Sequence, residues 1–407
     1  MHVEALKCIS CSTEYAYGKL FSCDKCQEFL DVVYDMGSVA EALSKGQFGK
    51  GSSLIEKYAQ LLPVKGTRTP VSLGEGDTPL LASDRLAEVI GLKKLYLKDE
   101  TGNPSGTFKD RSVSVGVTVA RENDVTQVST ASTGNAGTSL AAYSAKAGMK
   151  CRIIIPATAS PTKLVQAMAY GATIIPIQGS VDAALSLLRD AYDTWGWYPI
   201  PTSGPTNPYQ AEGAKTIAYE ISSQLKRESP DWVFYPICGG DNVAANWKGF
   251  KELEMLNLAD RPPRLVGVQA SACDSLVEPL REGHERIRTV RNPKTIASSI
   301  CIEYPPTGLA ALRAIRESKG VAIGVTDEEM LEAQNLLASR EGIFAEPASA
   351  SVIAALKRLV DQGVVTRDDT VVCVITGTGL KETAVLRERY ILPPSVPATK
   401  EGIASAA

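Results

Sequence analysis

From about residue 90 onward, short apolar runs alternate with longer stretches whose apolar positions recur at helical spacing. Residues 95–98 predict a strand and 108–122 a helix, followed by a strand at 125–130, a helix at 136–147 and a strand at 151–156. Ser160-Pro161 places a capping hydroxyl before a proline at the first helical position, which opens the next helix. A strand at 172–177 and a helix at 181–192 follow. Residues 195–208 are rich in proline and glycine and read as an interdomain crossing. Beyond it come strands at 233–237, 265–269 and 370–375 and a helix over 243–256, while Thr326-Asp327-Glu328-Glu329 is a capping box. Strand and helix alternating at this spacing specify a mostly parallel sheet covered on both faces, so the fold class is α/β.

The flanks are less regular. Residues 29–34 read as a strand and 39–62 as a polar connection with a helical piece. Residues 281–302 lack periodicity and read as a mobile or surface segment, and 394–407 as a loose tail. At 407 residues the chain exceeds one ordinary core and suggests two domains with a small appendage. With 44% apolar and 22% charged residues, disorder across the body is excluded. A net charge of −3 gives no electrostatic footprint for nucleic acid. No apolar run reaches the roughly 18 residues of a membrane span, and residues 1–6 hold no basic region leading into one, so a cytoplasmic protein without membrane partners is expected.

Nine cysteines in a reducing compartment argue against a disulfide framework. Cys8, Cys11, Cys23 and Cys26 form two C-x-x-C knuckles, a pattern that can gather four thiolates around a structural zinc. Reduced surface thiols are the plainer alternative, and a redox pair is disfavoured because no βαβ pattern surrounds either knuckle.

Three further groups carry candidate chemistry. Lys109 follows the turn-forming Asn103-Pro104-Ser105-Gly106, an arrangement suited to an amine that joins a carbonyl cofactor, although a lone Lys-Asp-Arg triplet is usually a solvated helix start. Partial burial should lower its pKa, with Phe108 as apolar wall. Cys238-Gly239-Gly240-Asp241-Asn242 lies between a strand and a helix, where free N–H groups and the helix dipole favour an anion; a ligand-free tight turn is the alternative. Ser132-Thr133-Gly134-Asn135 is a second small-residue turn, which also suits a helix cap. With only His2 and His284 in the chain, histidine base catalysis has little support.

Several of these segments carry a resemblance. Gly102-Asn103-Pro104-Ser105-Gly106-Thr107-Phe108-Lys109-Asp110-Arg111 and Ala131-Ser132-Thr133-Gly134-Asn135-Ala136-Gly137 are similar to the lysine and substrate-loop motifs of the threonine synthase family, pyridoxal-phosphate enzymes of fold type II. Leu73-Gly74-Glu75-Gly76-Asp77-Thr78-Pro79-Leu80, Phe344-Ala345-Glu346-Pro347-Ala348-Ser349-Ala350 and Thr376-Gly377-Thr378-Gly379-Leu380-Lys381 extend the match to most of the chain. The resemblance implies two lobes, with a zinc-ribbon-like segment at 1–34 and an extension at 35–95 on the larger lobe. The smaller lobe would span 96–198, the larger 199–393, and the tail 394–407.

The resemblance also implies the site. Lys109 carries pyridoxal 5'-phosphate as a Schiff base, and Phe108 walls the ring. Gly239, Gly240, Asp241 and Asn242 hold its phosphate, Asn135 its ring oxygen, and Thr376 its pyridine nitrogen. Ser132, Thr133, Gly134, Asn135 and Gln210 face the amino-acid substrate, while Glu346 supports the site from behind or caps a helix. The implied reaction turns O-phosphohomoserine and water into threonine and phosphate by β,γ-replacement, in a homodimer. Two departures stand out. Gln210 occupies the place of an arginine that binds the leaving phosphate, and Cys238 and Gly239 stand where glycine and asparagine are common. They keep open another amino-acid substrate, handled by β-elimination or β-replacement as in a dehydratase or a cysteate- or diaminopropionate-type synthase. A regulatory relative whose cysteine ribbon contacts a partner is also open. Lys163 and Lys215 are the candidates for restoring the missing charge.

Overall fold

In a computed structural model the described residues are 1–44, 46, 48–66, 69–132, 134–157, 164–386, 390 and 393–405. Thirteen strands form among them: β1 (Val3–Cys8), β2 (Glu14–Tyr15), β3 (Leu30–Tyr34), β4 (Leu80–Ala82), β5 (Lys94–Asp99), β6 (Gln127–Ala131), β7 (Lys150–Pro156), β8 (Thr173–Ile177), β9 (Tyr198–Pro199), β10 (Trp232–Pro236), β11 (Arg264–Ala270), β12 (Val321–Val325) and β13 (Thr370–Ile375). They make three sheets, ordered β2-β1-β3, β12-β11-β10-β13-β5-β4 and β8-β7-β6-β9. The architecture is α/β, as the alternation predicts.

The six-stranded sheet is parallel except for β4, which pairs antiparallel with β5 at one edge. Its central strands are buried on both faces, and the period of two assigns their side chains to two cores. Val233, Tyr235, Val372 and Val374 enter one core, while Trp232, Phe234, Val371, Cys373 and Ile375 enter the other. The four-stranded sheet is parallel throughout, with a core built on Val128, Cys151, Ile153 and Ile155. The helix Lys109–Glu122 joins the lobes because its two apolar sides differ in destination: Val115 and Val119 pack into a larger-sheet core, Val113 and Val117 into that of the smaller sheet.

The structure revises several expected boundaries. The strand expected at 95–98 belongs to the larger sheet, in register with β13 from Lys94↔Thr370 to Asp99↔Ile375, so position 96 is not where the smaller sheet begins. Its Leu95 and Leu97 fill the larger lobe's core, which sequence order conceals. The crossing at 195–208 contains β9, which completes the smaller sheet against β6. Residues 281–302 are not wholly superficial: Ala297 and Ile300 are buried around the 3-10 turn Ser298–Ile300. Within the tail, Thr399 caps a short helix, Lys400–Ala404. The helix start expected at Ser160-Pro161 lies outside the described residues.

Candidate active site

Three consecutive side chains at the start of helix Lys109–Glu122 take three destinations. Gly106, at φ +77°, makes the turn that precedes it, and a Cβ there would meet the Thr378 side chain at 2.7 Å. Asp110 accepts from the Ser105 N–H at 2.7 Å and from the Ser105 and Ser139 hydroxyls at 2.5 Å each, which locks the turn. Arg111 is fully buried, bonded to Glu100 at 2.7 and 2.9 Å and to Glu220 at 2.7 Å through two nitrogens. Lys98 reaches the same Glu220 at 2.6 Å. Lys109 alone turns toward the cleft between the lobes, half-buried, with Nζ 4.7 Å from the Phe108 ring centroid. The Phe108 N–H donates to the Thr376 carbonyl at 3.0 Å and the Thr378 N–H to that of Gly106 at 3.0 Å, so the lysine turn is stitched to the end of β13.

The cleft's opposite wall is the turn after β10. Gly240, at φ +95°, precedes the helix Asp241–Met255, and a Cβ on it would lie 2.8 Å from the Thr307 carbonyl oxygen. The first N–H groups of a helix have no intrahelical acceptor. Beside them the buried Asn242 Nδ2 has no partner among the described residues, while its Oδ1 accepts from Asn246 at 2.8 Å. An orphaned amide donor beside a helix N-terminus fits an anionic group such as the coenzyme's phosphate. Asp241 is the discordant element. Burial raises its carboxyl above the usual range, opposed by the Lys109 charge and by bonds from the Thr307 hydroxyl and the Gly204 N–H, both at 2.8 Å. Burial likewise pushes the Cys238 thiol up to about 11.

Between these walls lie Ser132, Gly134, Asn135, Glu346 and Thr376. Asn135 Nδ2 donates to both Glu346 oxygens at 3.1 Å, and its Oδ1 accepts from Lys381 at 3.0 Å. Ser299 adds a bond to Glu346 at 3.0 Å. Burial, reinforced by Glu382, raises Glu346 to about 7 against the opposing pull of Asn135, Ser299 and Lys381. The Thr376 hydroxyl meets Ser349 Oγ at 2.8 Å and presents no charge to the cleft. A Cβ on Gly134 would meet nothing within 4 Å. Thr133 and Lys163 lie outside the described residues.

Two expected substrate contacts are placed elsewhere. Gln210 is fully buried behind the cleft, its Oε1 accepting from the Thr202 N–H at 2.9 Å and its Nε2 donating to the Ser203 carbonyl at 3.4 Å. It braces the wall loop and does not line the cleft. Lys215 is fully buried between Glu212 at 2.6 Å and Glu252 at 2.8 Å, equally out of reach. Sequence reasoning missed Thr202, Ser203, Ser299 and Cys301, which line the cleft from aperiodic loops that carry no local signal. Lys381 lay in a quoted motif, and its partner Asn135 was the available clue.

The four amino-terminal cysteines converge, with all sulfurs within 4.8 Å of one another. Cys8 and Cys26 stand 3.3 Å apart and Cys11 and Cys23 3.5 Å apart, near the roughly 3.8 Å edge of a tetrahedron with 2.3 Å zinc–sulfur bonds.

A family model described as pyridoxal-phosphate dependent enzyme matches residues 71–377. The threonine synthase of Methanosarcina acetivorans is 43% identical over 404 residues, 98% of each chain. That of Methanocaldococcus jannaschii is 42% identical over 377 residues, 92% of each. Among solved structures, holo diaminopropionate ammonia lyase from Escherichia coli superimposes with a TM-score of 0.68 at 16% identity, covering 91% of this chain and 97% of that one. Threonine deaminase isoform 2 from Solanum lycopersicum gives 0.66 at 19%, covering 96% and 93%. These two likenesses show the fold, and the identities above 40% show the family. With a lysine turn and a glycine turn facing each other across an α/β cleft, the chain belongs to the threonine synthases, pyridoxal-phosphate-dependent lyases.

Proposed function

We propose that this cleft converts O-phosphohomoserine and water to threonine and phosphate, with Lys109 as its acid–base group. The observation that carries the reading is the opposition of Lys109, at the head of one helix, and the Gly239–Asn242 turn with its unpartnered Nδ2, at the head of another. When bound, the coenzyme supplies an electron sink that acidifies the substrate's Cα–H and Cβ–H. Lys109 would hold it covalently, and its amine, released by the incoming amino group, takes the α-proton and then moves a proton at Cβ. Gly239, Gly240, Asp241 and Asn242 would seat the coenzyme phosphate. Thr376, neutral and braced by Ser349, would face the pyridine nitrogen without protonating it. Phe108 walls the ring, and Asn135, oriented by Glu346 and Lys381, would face its ring oxygen.

Substrate binding is assigned to Ser132, Thr133, Gly134 and Asn135. Among the described residues Lys109 is the only cationic side chain lining the cleft. The leaving phosphate is therefore assigned to neutral donors of the Thr202–Ser203 and Ser298–Ser299 walls, with Gln210 acting on it only through the loop it braces. We assign a structural zinc to Cys8, Cys11, Cys23 and Cys26, whose spacing supports it. Assembly as a homodimer in the cytoplasm belongs to the same reading, supported by family likeness and, among the described residues, by free cysteines and the absence of any helix long and apolar enough to cross a membrane. The test is phosphate release. Purified protein should liberate phosphate from O-phosphohomoserine with matching threonine, and Lys109→Ala should not. Ammonia release from serine or threonine without that activity would replace this reading by β-elimination.

A further inference from the structure

The four-cysteine segment is more than an appendage in this structure, because both of its knuckles touch the frame of the cleft. From the first knuckle, the Ile9 carbonyl accepts from Arg313 Nη1 at 2.6 Å. Arg313 lies on the helix Gly308–Glu317, which begins directly after Thr307. Thr307 in turn donates its N–H to the Gly239 carbonyl at 2.8 Å and its hydroxyl to Asp241 at 2.8 Å. After the second knuckle, the buried Phe29 ring lies so close to Gly204 that a Cβ there would sit 2.5 Å from a ring carbon. The Gly204 N–H then donates to the same Asp241 oxygen. Ile9 and Phe29 are themselves joined, N–H to carbonyl, at 3.2 Å. Two paths therefore leave the cysteine cluster and meet at Gly239 and Asp241.

We infer that Phe29 and Arg313 are positioning residues through which the four-cysteine segment sets the Gly239–Asn242 turn and so controls how tightly the coenzyme's phosphate is held. The inference rests on the reading of that turn as the phosphate cup. Asp241 is the joint. Its Oδ1 is held by Gly204 and Thr307 together, which fixes the orientation of a buried carboxyl beside the cup. Loss of either anchor frees that oxygen to turn toward the cup, where a carboxylate repels phosphate. Anchors of this kind are worth on the order of tenfold in the affinity of the group they orient.

The experiment compares holoenzymes of the native chain, Phe29→Ala and Phe29→Leu. Coenzyme dissociation is followed by absorbance, the coenzyme phosphate by phosphorus NMR, and metal content is measured alongside. Phe29→Ala should weaken coenzyme retention about tenfold and shift the phosphorus resonance while metal content stays native, and Phe29→Leu should restore most of the loss. Stripping metal with a chelator should weaken the native protein similarly and add little in Phe29→Ala, since both act on one path. Should Phe29→Ala fail to fold, Arg313→Gln makes the same comparison by the other path. Native retention in Phe29→Ala or Arg313→Gln, or a chelator effect that adds in full to the variant's, overturns the inference. Asn242→Ala separates the two readings: unchanged retention there sinks the phosphate cup itself, whereas weakened retention there with native retention in Phe29→Ala sinks only the relay.

Discussion

Two buried clusters of charge lie one on each side of the lysine turn, and they differ in balance. Behind the turn, Arg111 and Lys98 face Glu100 and Glu220. Burial alone would raise Glu220, but Arg111 and Lys98 outweigh it and hold the carboxyl down to about 2. On the cleft side, Glu346 meets the charges of Glu382 and of Lys381, the latter outside the cleft lining, and there burial wins: Glu346 rises to about 7 and Lys381 is lowered. The first cluster ties β5, the lysine turn and the helix Thr216–Gln224 together. In the second, Glu346 titrates near neutrality and, with Lys381, grips Asn135 on the cleft wall. Matched buried charge makes a joint, whereas a surplus of buried carboxyl makes a group whose protonation responds to its surroundings.

The sharpest way to break this contrast is Arg111→Met, which leaves two buried carboxylates facing one lysine. It should destabilise the fold by about 3–5 kcal/mol in denaturant unfolding, and a native midpoint would show that the cluster is not a joint. The pH dependence comes next. Glu220, lowered from 4.5 to about 2, contributes stability that is present above pH 4.5 and lost as pH falls toward 2. Glu346, raised from 4.5 to about 7, contributes in the opposite sense: its share is complete below pH 4.5 and lost as pH rises through about 7. Each share is at most about 3 kcal/mol. Glu346→Gln should therefore flatten the stability profile between pH 4.5 and 7 while leaving the acid limb intact, and an unchanged profile would remove Glu346 from the account.

Smaller effects separate the cleft wall from what lies behind it. Asn242→Ala, which deletes a donor to an anion, should weaken coenzyme binding by about 2 kcal/mol with little change in the fold's stability. Gln210→Met should do the reverse, losing about 1 kcal/mol of stability through the freed Thr202 and Ser203 backbone groups while the coenzyme stays bound. Equal effects on both quantities in both variants would erase the distinction between them.

How much of this was legible in the letters depended on whether the signal was local. The strand 370–375 and the capping box at Thr326 were readable because propensity, period and cap chemistry act over a few residues. The turn around Lys109 was readable for the same reason, since glycine, serine and the Asp110 carboxyl close it within a single loop. The sheet membership of β5 was not, because its partner β13 lies far along the chain and only tertiary pairing reveals it. Gln210 was misplaced because its position in a motif says which backbone it occupies but not whether its amide faces the ligand or the loop behind. The Ser298–Ile300 turn carries no periodicity at all and gains its place only from what it packs against.

The most direct test of the central claim is borohydride reduction of the purified holoenzyme followed by peptide mapping. The account predicts that the reduced pyridoxyl group is found on the ε-amine of Lys109 and that Lys109→Ala takes up none. Label on another lysine, or label of equal extent in Lys109→Ala, would contradict it.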